Sequence, residues 1–305
     1  MDERDNLIFD SRPSLRNPHF VCGLSGWLNG GDVGVGGIEY LIKQFKAEKF
    51  AEIPTPRYHL YQAAGAQNLR PVFKMRDGVI TETRFPKNQF YYAVNPTAER
   101  DIILFLGTEP SLNWEEYADA VVSLASDFGA DRLCTFGAIL DRSPYTREPK
   151  TSCTCTSLKV KTEMEKYNLS FSSREGPASF NLMLLHACKK KGMDGVNLTV
   201  RAPYYPEFNI SLEYSPKSVK AVLTRLSHFL SLETIFDELD KTIKEVEGKL
   251  DFVRQQNPQF NTYMEELEKN YDEMPYQQPF DISPHEAIRF AEEFLRENND
   301  RRQDQ

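Results

Sequence analysis

A glycine-rich turn in this 305-residue chain is the first feature that could bind a ligand. Gly30, Gly31 and Asp32 stand between a predicted strand and a predicted helix, where backbone N–H groups hold phosphates in nucleotide-binding folds. The spacing is not G-x-G-x-x-G, because Glu39 occupies the last glycine position, and it is not a P-loop, because Gly37-Ile38 replaces Lys-Ser/Thr. A tight turn with close helix packing is the alternative interpretation.

Polar side chains also follow three other predicted strands. Glu109 follows the first and is a candidate base or ribose ligand, unless it stabilises a neighbouring loop by hydrogen bonding. Arg142, Tyr145 and Arg147 follow the second strand, and Tyr204 ends the third. Since parallel strands end at one edge of a sheet, these residues and the glycine-rich turn predict a pocket for phosphate or a nucleotide. The alternatives are that they pair with one another or lie in a subunit interface.

The usual catalytic sets are missing from the sequence. It contains no G-x-S-x-G, no H-E-x-x-H and no aspartate-rich metal signature. Cys153 and Cys155 form a C-x-C pair, but no second pair stands at zinc-ligand spacing. We therefore predict no catalytic residue, no metal and no cofactor. The five cysteines are expected to be reduced thiols in a cytoplasmic protein, because no secretion signal precedes them.

Composition excludes further classes of function. Lys and Arg total 37 and Asp and Glu total 45, which gives a net charge of −8. An acidic chain is a poor general nucleic-acid binder, because that role needs a basic surface. No segment approaches the roughly 18 uninterrupted apolar residues of a membrane span. We therefore predict neither nucleic acid nor membrane as a partner.

The elements that must position these residues alternate between strands and helices over residues 18–231. This alternation predicts an α/β sheet covered by helices on both faces. Arg76-Asp77-Gly78 predicts a β-hairpin. Residues 1–17 are polar and are expected to form a loosely held arm.

The segment 232–273 has a different pattern. Its apolar residues repeat every seven positions and include Leu239, Ile243, Val246 and Leu250, and Asn257-Pro258 interrupts the repeat. This predicts an antiparallel helical hairpin whose apolar seam packs on the α/β domain or on another subunit. Residues 233–273 hold 12 acidic and 5 basic residues, which we interpret as a solvated outer face. The tail 274–305 is predicted to contain one short helix, opened by Ser283.

A set of ordered motifs resembles the proteasome assembly chaperone 2 family over about residues 18–272. They are Gly26-Trp27 with the glycine-rich turn, Arg70-Pro71, Gly107-x-Glu109-Pro110-x-x-x-Trp114, Ser143-Pro144-Tyr145-Thr146-Arg147, Glu175-Gly176-Pro177 and Ala202-Pro203-Tyr204-Tyr205. A long chain with a helical hairpin is similar to the bacterial branch of that family.

The resemblance implies a three-layer α/β/α fold like that of purine nucleoside phosphorylases, and a homo-oligomer such as a trimer. It also implies protein partners, because some members assemble proteasome α-subunits. Members often have Pro-His where this chain has Pro144-Tyr145 and Pro203-Tyr204, and tyrosine is a poor base at neutral pH. We therefore expect a non-enzymatic, oligomeric, chaperone-like protein. The alternative is a small-molecule-binding protein or enzyme, either nucleoside phosphorylase-like or an ATP-dependent carboxylate-amine ligase.

Overall fold

The computed structural model describes residues 7–61, 70–95, 99–171, 173 and 175–273. The strands are β1 (Ile8–Phe9), β2 (His19–Ser25), β3 (Glu48–Glu52), β4 (Val72–Arg76), β5 (Val79–Arg84), β6 (Gln89–Ala93), β7 (Ile102–Thr108), β8 (Arg132–Asp141), β9 (Thr151–Cys155), β10 (Asp194–Tyr205) and β11 (Ile210–Ser211). The helices are α1 (Val33–Phe45), α2 (Trp114–Asp127), α3 (Leu158–Met164), α4 (Phe180–Lys190), α5 (Pro216–Leu230), α6 (Asp237–Gln256) and α7 (Pro258–Glu273).

One mixed sheet forms the centre of the molecule. Its strands lie in the order β1-β3-β6-β7-β2-β8-β10-β11, and β9 pairs with β10. The four central strands β7, β2, β8 and β10 are parallel, and the outer strands are antiparallel to their neighbours. All seven residues of β7 are buried, as expected of an apolar strand that is covered on both faces.

Helices cover both faces of this sheet. Helices α1, α3 and α5 pack on one face, and α2 and α4 pack on the other, in two separate apolar cores. This arrangement confirms the predicted α/β/α layers. The finer likeness to nucleoside phosphorylases stays a prediction.

The N-terminal segment differs from the loosely held arm that its polarity predicts. Strand β1 pairs with β3, and Arg16 binds the buried carboxylate of Asp101 at 2.6 Å. Burial acts to raise the pKa of Asp101, but hydrogen bonds from Arg16 and Asn95 outweigh it and lower the pKa. Residues 7–17 are therefore attached to the sheet by a strand and an ion pair that no local sequence pattern specifies.

The segment 237–273 forms the two expected helices, which we call the helical arm. Leu239 and Leu250 are buried against the rest of the chain, and Ile243 and Val246 are half-buried. Most of its acidic residues are exposed, as expected of a solvated face, and three of them also form ion pairs with the α/β domain. Glu238, Asp240 and Glu247 pair respectively with Lys43 on α1 and with Lys220 and Lys217 on α5.

Strands β4 and β5 form a separate two-stranded sheet, which we call the ribbon. Gly78 at its tip has a φ of +78°, as the predicted hairpin turn requires. Every residue of both strands is exposed. The ribbon therefore projects from the molecule without packing on the cores.

Two further predictions concern the tail and membranes. The helix predicted from Ser283 lies outside the described residues. Among the helices that the structure describes, none has the length and apolar character to cross a bilayer.

Candidate functional site

The carboxyl ends of the parallel strands β7, β2, β8 and β10 lie at one edge of the sheet, which we call the carboxyl edge. The loops that follow these strands carry seven of the eight residues predicted to bind a ligand, and Tyr204 lies near the end of β10 itself. The structure therefore brings their backbones to a common edge, and each side chain has its own surroundings there.

The glycine-rich turn lies against β8 and the start of α5. Gly31 has a φ of +57°, and its carbonyl oxygen accepts a hydrogen bond from Ser215 N at 2.8 Å. The N–H groups of Gly34 and Val35, at the start of α1, donate to Asn29 Oδ1 at 2.8 and 3.1 Å. These are the groups that would hold an anion at a helix N-terminus. In this structure the Asn29 side chain occupies them.

Asp32 adds an unfavourable charge for an anion at the same turn. Its Oδ1 accepts a hydrogen bond from Asn29 Nδ2 at 2.9 Å, and burial raises the pKa of its carboxyl. Gly30 lies beside the backbone of Ala138 and Leu140. The close contacts favour the alternative of a tight turn, and a ligand role for Gly30, Gly31 and Asp32 stays a prediction.

Glu109 connects two loops of the carboxyl edge. Its Oε2 accepts a hydrogen bond from Trp27 N at 2.6 Å, and its own N–H donates to Ser25 O at 2.8 Å. The loop after β7 is thereby joined to the loop after β2. This contact is the loop-stabilising alternative that the sequence left open for Glu109.

The loop after β8, residues 142–150, is the platform on which the helical arm docks. Tyr145 Oη donates to Asp251 Oδ1 at 2.7 Å. Burial has the largest effect on the phenol and raises its pKa, and the neighbouring carboxylate raises the pKa further. The backbone N–H of Tyr145 donates to Tyr205 Oη at 2.9 Å, and Tyr205 Oη donates to Ser143 O at 2.6 Å. A tyrosine with a raised pKa is a weaker candidate for base catalysis than an ordinary one.

Arg147, the predicted anion ligand, binds the arm. Its Nε and Nη2 donate to the two carboxylate oxygens of Asp272 at 2.9 and 2.8 Å. Thr146 Oγ1 donates to Glu268 Oε1 at 2.7 Å, one helical turn before Asp272. Arg142 pairs with Glu207 instead. A role for Arg142 and Arg147 in ligand binding stays a prediction.

Apolar contacts accompany these polar ones. Phe260 of α7 is fully buried, with its ring centroid 5.5 Å from that of Tyr205 and 5.0 Å from that of Phe208. Leu250 and Met264 complete this small core. Tyr204 is half-buried beside it, opposite Ser211 on β11.

Sequence reasoning missed the arm's contact residues, namely Asp251, Phe260, Glu268 and Asp272. One signal for them was available. The arm is strongly acidic, and the segment Arg142–Lys150 carries three basic residues, so charge alone suggested that the two meet. No spacing rule identifies which carboxylate meets which cation.

Exposed apolar side chains form the second feature of the carboxyl edge. Of the fifteen large apolar side chains exposed among the described residues, five lie on the ribbon, four lie in loops, and two lie near the carboxyl end of β8. We call them the carboxyl-edge apolar surface: Trp27, Leu60, Val72, Phe73, Met75, Val79, Ile80, Phe85, Leu112, Ile139 and Leu140. Trp27, from the family motif, is 61% exposed.

The opposite edge of the sheet holds a cavity of about 470 Å³ that the sequence did not indicate. His19, at the start of β2, lines it together with two ion-paired arginines. Arg100 pairs with Asp131 at 2.5 Å, and Arg132 pairs with Glu163 at 2.8 Å. Because these cations already have acidic partners, the cavity offers weak attraction to an anion.

His19 makes the stability of the protein depend on pH. Burial, followed by the charge of Arg100, lowers its pKa from 6.5 to about 4. The unfolded chain therefore binds a proton more readily at this position, so the contribution of His19 to stability is fully present above pH 6.5 and is lost as the pH falls toward 4. Allowing for partial exposure, we expect a loss of about 2 kcal/mol in the free energy of unfolding.

Denaturant unfolding of His19→Gln at several pH values between 6.5 and 4 measures this effect. The variant is expected to lose stability less steeply than the wild type as the pH falls. Some slope should remain, because burial also lowers the pKa of His59. His186→Gln, at an exposed position on α4, is the control and should retain the wild-type slope. Equal slopes in all three proteins would contradict the assignment.

The described cysteines and acidic residues do not assemble a metal centre. Cys153 Sγ and Cys155 Sγ lie 3.4 Å apart, and all five cysteines are free thiols. Within the described ranges, no group of three or more His, Cys, Asp or Glu side chains is placed to hold a metal ion.

The fold and the site define an α/β/α protein in which a helical arm closes over one loop at the carboxyl edge. The chain belongs to the PAC2 family, whose sequence profile matches residues 23–253, so α7 lies beyond the matched region. This confirms the family resemblance of the sequence motifs.

Solved structures of related proteins have the same fold. The proteasome-assembly chaperone homologue Rv2125 of Mycobacterium tuberculosis is 24% identical with a TM-score of 0.70, covering 80% of this chain and 98% of that one. A PAC2 family protein of Streptomyces avermitilis is 25% identical with a TM-score of 0.67, and the match covers 77% of this chain and 94% of that one. PbaB of Pyrococcus furiosus, described as an archaeal proteasome activator, is 27% identical with a TM-score of 0.62. The match covers 81% of this chain and 97% of that one.

Proposed function

We propose that this protein is a non-enzymatic, oligomeric, chaperone-like factor that acts by binding other proteins. The observation that carries the proposal is how the carboxyl edge is used. Groups there that could bind a small ligand are engaged within the chain, while large apolar side chains at the same edge are exposed. Open α/β sheets that bind small molecules use this edge for the ligand.

Three contacts support binding of proteins over turnover of small molecules. The amides at the start of α1 donate to Asn29, Glu109 accepts a hydrogen bond from Trp27 N, and Arg147 is paired with Asp272. A base, an anion site and a free cation are each needed for phosphorylase-like chemistry. The solved relatives described as a proteasome-assembly chaperone homologue and a proteasome activator suggest subunits of a proteasome-like assembly as the class of partner.

A turnover screen tests the non-enzymatic part of the proposal. The purified protein is incubated with nucleosides plus phosphate, and separately with ATP plus amino acids. We expect no product above background. Glu109→Gln should lower the free energy of unfolding by about 1 kcal/mol, because the amide oxygen still accepts the Trp27 N–H without a charge. Steady turnover that is lost in Glu109→Gln would overturn the proposal.

Partner binding is tested with purified components. Proteins retained from a native lysate are identified by mass spectrometry, expressed separately, and titrated into the purified chain. We expect one of them to bind with at least micromolar affinity in the absence of nucleotide. If each purified candidate fails to bind, the chaperone-like function is wrong.

A further inference from the structure

The C-x-C pair on β9 brings two thiols into contact. Residues two apart on a strand point to the same face, and Cys153 and Cys155 both contact the core beneath α1, α3 and α5. Their sulfur atoms lie 3.4 Å apart and share one S–H···S hydrogen bond. A disulfide bond would shorten this distance by about 1.4 Å, so a small movement separates the two thiols from a covalent bond.

The two thiols differ in their access to solvent. Cys153 is buried, with 5% of its surface exposed, whereas Cys155 is half-buried. The hydrogen bond with Cys155, and then burial, raise the pKa of the Cys153 thiol, so this group keeps its proton. A dissolved oxidant would therefore react first at Cys155 and leave Cys153 as the internal, resolving thiol.

The other three cysteines are poor competitors for this reaction. They are fully buried, namely Cys22, Cys134 and Cys188. Val196 on β10 pairs with both Cys134 and Cys155, so it lies between them in the sheet. Two strand spacings, about 9–10 Å, then separate these two cysteines, which is beyond the roughly 7 Å between Cα atoms that a disulfide can span. Cys153 is therefore the partner within reach of Cys155.

A bond between the two sulfur atoms would strain β9. Successive residues of an antiparallel strand rise about 3.4 Å, so an ideal strand places the Cα atoms of Cys153 and Cys155 roughly 6.8 Å apart. Disulfides prefer about 5.5–6 Å, so oxidation must shorten the strand by about 1 Å at Thr154, which pairs with Asn197 of β10. Strained disulfides are easily reduced, as reversible redox sites require.

The contacts that follow Cys155 would also feel this shortening. Thr156 Oγ1 accepts a hydrogen bond from Gly195 N at 2.9 Å and so holds the end of β9 against β10. Ser157 Oγ accepts from Val160 N at 3.3 Å and caps α3. Because both residues directly follow the strand, a shorter β9 pulls on both contacts.

We propose that Cys153 and Cys155 form a reversible disulfide that loosens β9 and α3 when the protein meets a low-molecular-weight disulfide such as oxidised glutathione. This redox site is independent of the function proposed above. Disulfides in cytosolic proteins are usually transient and redox-sensing, which agrees with a pair that is reduced at rest and strained when oxidised.

The reaction is two successive thiol–disulfide exchanges. The Cys155 thiolate attacks one sulfur of the oxidant and displaces a thiolate, which takes up a proton, and a mixed disulfide remains on Cys155. Cys153 then loses its proton, and its sulfur attacks the Cys155 sulfur and releases the second thiolate. Two protein thiols thus become one disulfide, and the oxidant takes two electrons and two protons to become two thiols.

Peptide mass spectrometry of the folded chain tests the proposal. The protein is equilibrated with oxidised or reduced glutathione, the remaining thiols are alkylated in denaturant, and the chain is digested with trypsin. Residues 151–159 form one tryptic peptide that contains both thiols and no other cysteine. With oxidised glutathione, we expect at least about half of this peptide to lose two hydrogen atoms and carry no label. Reduced glutathione should restore the doubly alkylated peptide, and the other three cysteines should be alkylated in both buffers.

Two variants separate the roles of the thiols. Cys153→Ser removes the resolving thiol, so a mixed disulfide with glutathione should accumulate on Cys155. Cys155→Ser removes the accessible thiol, so Cys153 should stay reduced. A peptide 151–159 that oxidises only after the wild-type chain is unfolded would overturn the proposal, and so would a glutathione adduct on Cys153 in the Cys155→Ser variant.

Amide hydrogen exchange of the oxidised and reduced wild type measures the loosening. Exchange in Thr151–Cys155 and Leu158–Met164 should be at least about tenfold faster in the oxidised form and should slow again on reduction. Equal exchange in the two forms would overturn the proposal, as would a disulfide that excess reduced glutathione does not reverse.

Discussion

Gly23→Ala is expected to destabilise the protein by about 4 kcal/mol or to prevent its folding. Gly23 lies in the central strand β2, directly under α1. A Cβ atom there would lie 2.1 Å from Gly34 O and 2.4 Å from Ile38 Cγ1. The first of these neighbours is backbone, so it cannot rotate away as a side chain would. Helix α1 would have to lift from the sheet, and contacts in the core beneath it would be lost.

A second glycine provides the matched control. Gly248 lies on the exposed side of α6, and an added Cβ there meets no atom within 4 Å. Gly248→Ala is expected to stabilise the protein by up to about 1 kcal/mol, since alanine is the better helix former. Urea unfolding of both variants measures the two changes. A Gly23→Ala protein as stable as the wild type would contradict the close packing of α1 on β2.

Phe260→Ala is expected to detach the helical arm from the loop at residues 142–150. The ring of Phe260 is fully buried between Tyr205 and Phe208, and deletion of a buried phenylalanine costs about 3–5 kcal/mol. The ion pair of Arg147 with Asp272 is exposed to solvent, so it contributes much less to stability than the buried ring. The apolar core therefore dominates arm docking, and the polar contacts select its position.

Hydrogen exchange and denaturant unfolding together measure this effect. In Phe260→Ala, amides of α7 and of the last turns of α6 should exchange faster, and the free energy of unfolding should fall. Phe252→Ala removes the same ring from a position on α6 that is 64% exposed, and its stability should stay within about 0.5 kcal/mol of wild type. Identical behaviour of the two variants would mean that Phe260 is not an anchor of the arm.

Detachment would also change the charge at the carboxyl edge. Arg147 would lose Asp272, and Tyr145 would lose the hydrogen bond to Asp251. The anion site that the sequence predicts there would then have a free guanidinium. We therefore expect the position of the helical arm to control whether Arg147 is available to a ligand.

The α/β/α layers are predictable from the sequence, because local patterns encode them. The apolar run Ile102–Gly107 is typical of a strand covered on both faces, and Arg76-Asp77-Gly78 predicted the hairpin of the ribbon. The seven-residue apolar repeat predicted a helical arm, and the ordered motifs identified the family. The first three of these inferences depend on residues that lie close together in the chain, and the fourth depends on the order of short motifs along it.

The contacts of the candidate site residues depend on long-range packing that no local pattern predicts. Arg147 meets Asp272, 125 positions later, and Tyr145 meets Asp251, 106 positions later. Arg16 holds Asp101 across 85 positions, which makes residues 7–17 part of the sheet instead of a loose arm. Hydrophobic periodicity shows which face of an element is buried, but not against which distant segment it packs. Which distant segment an element packs against depends on the fit between whole surfaces. Charges far apart in the sequence pair only where this packing brings their elements together.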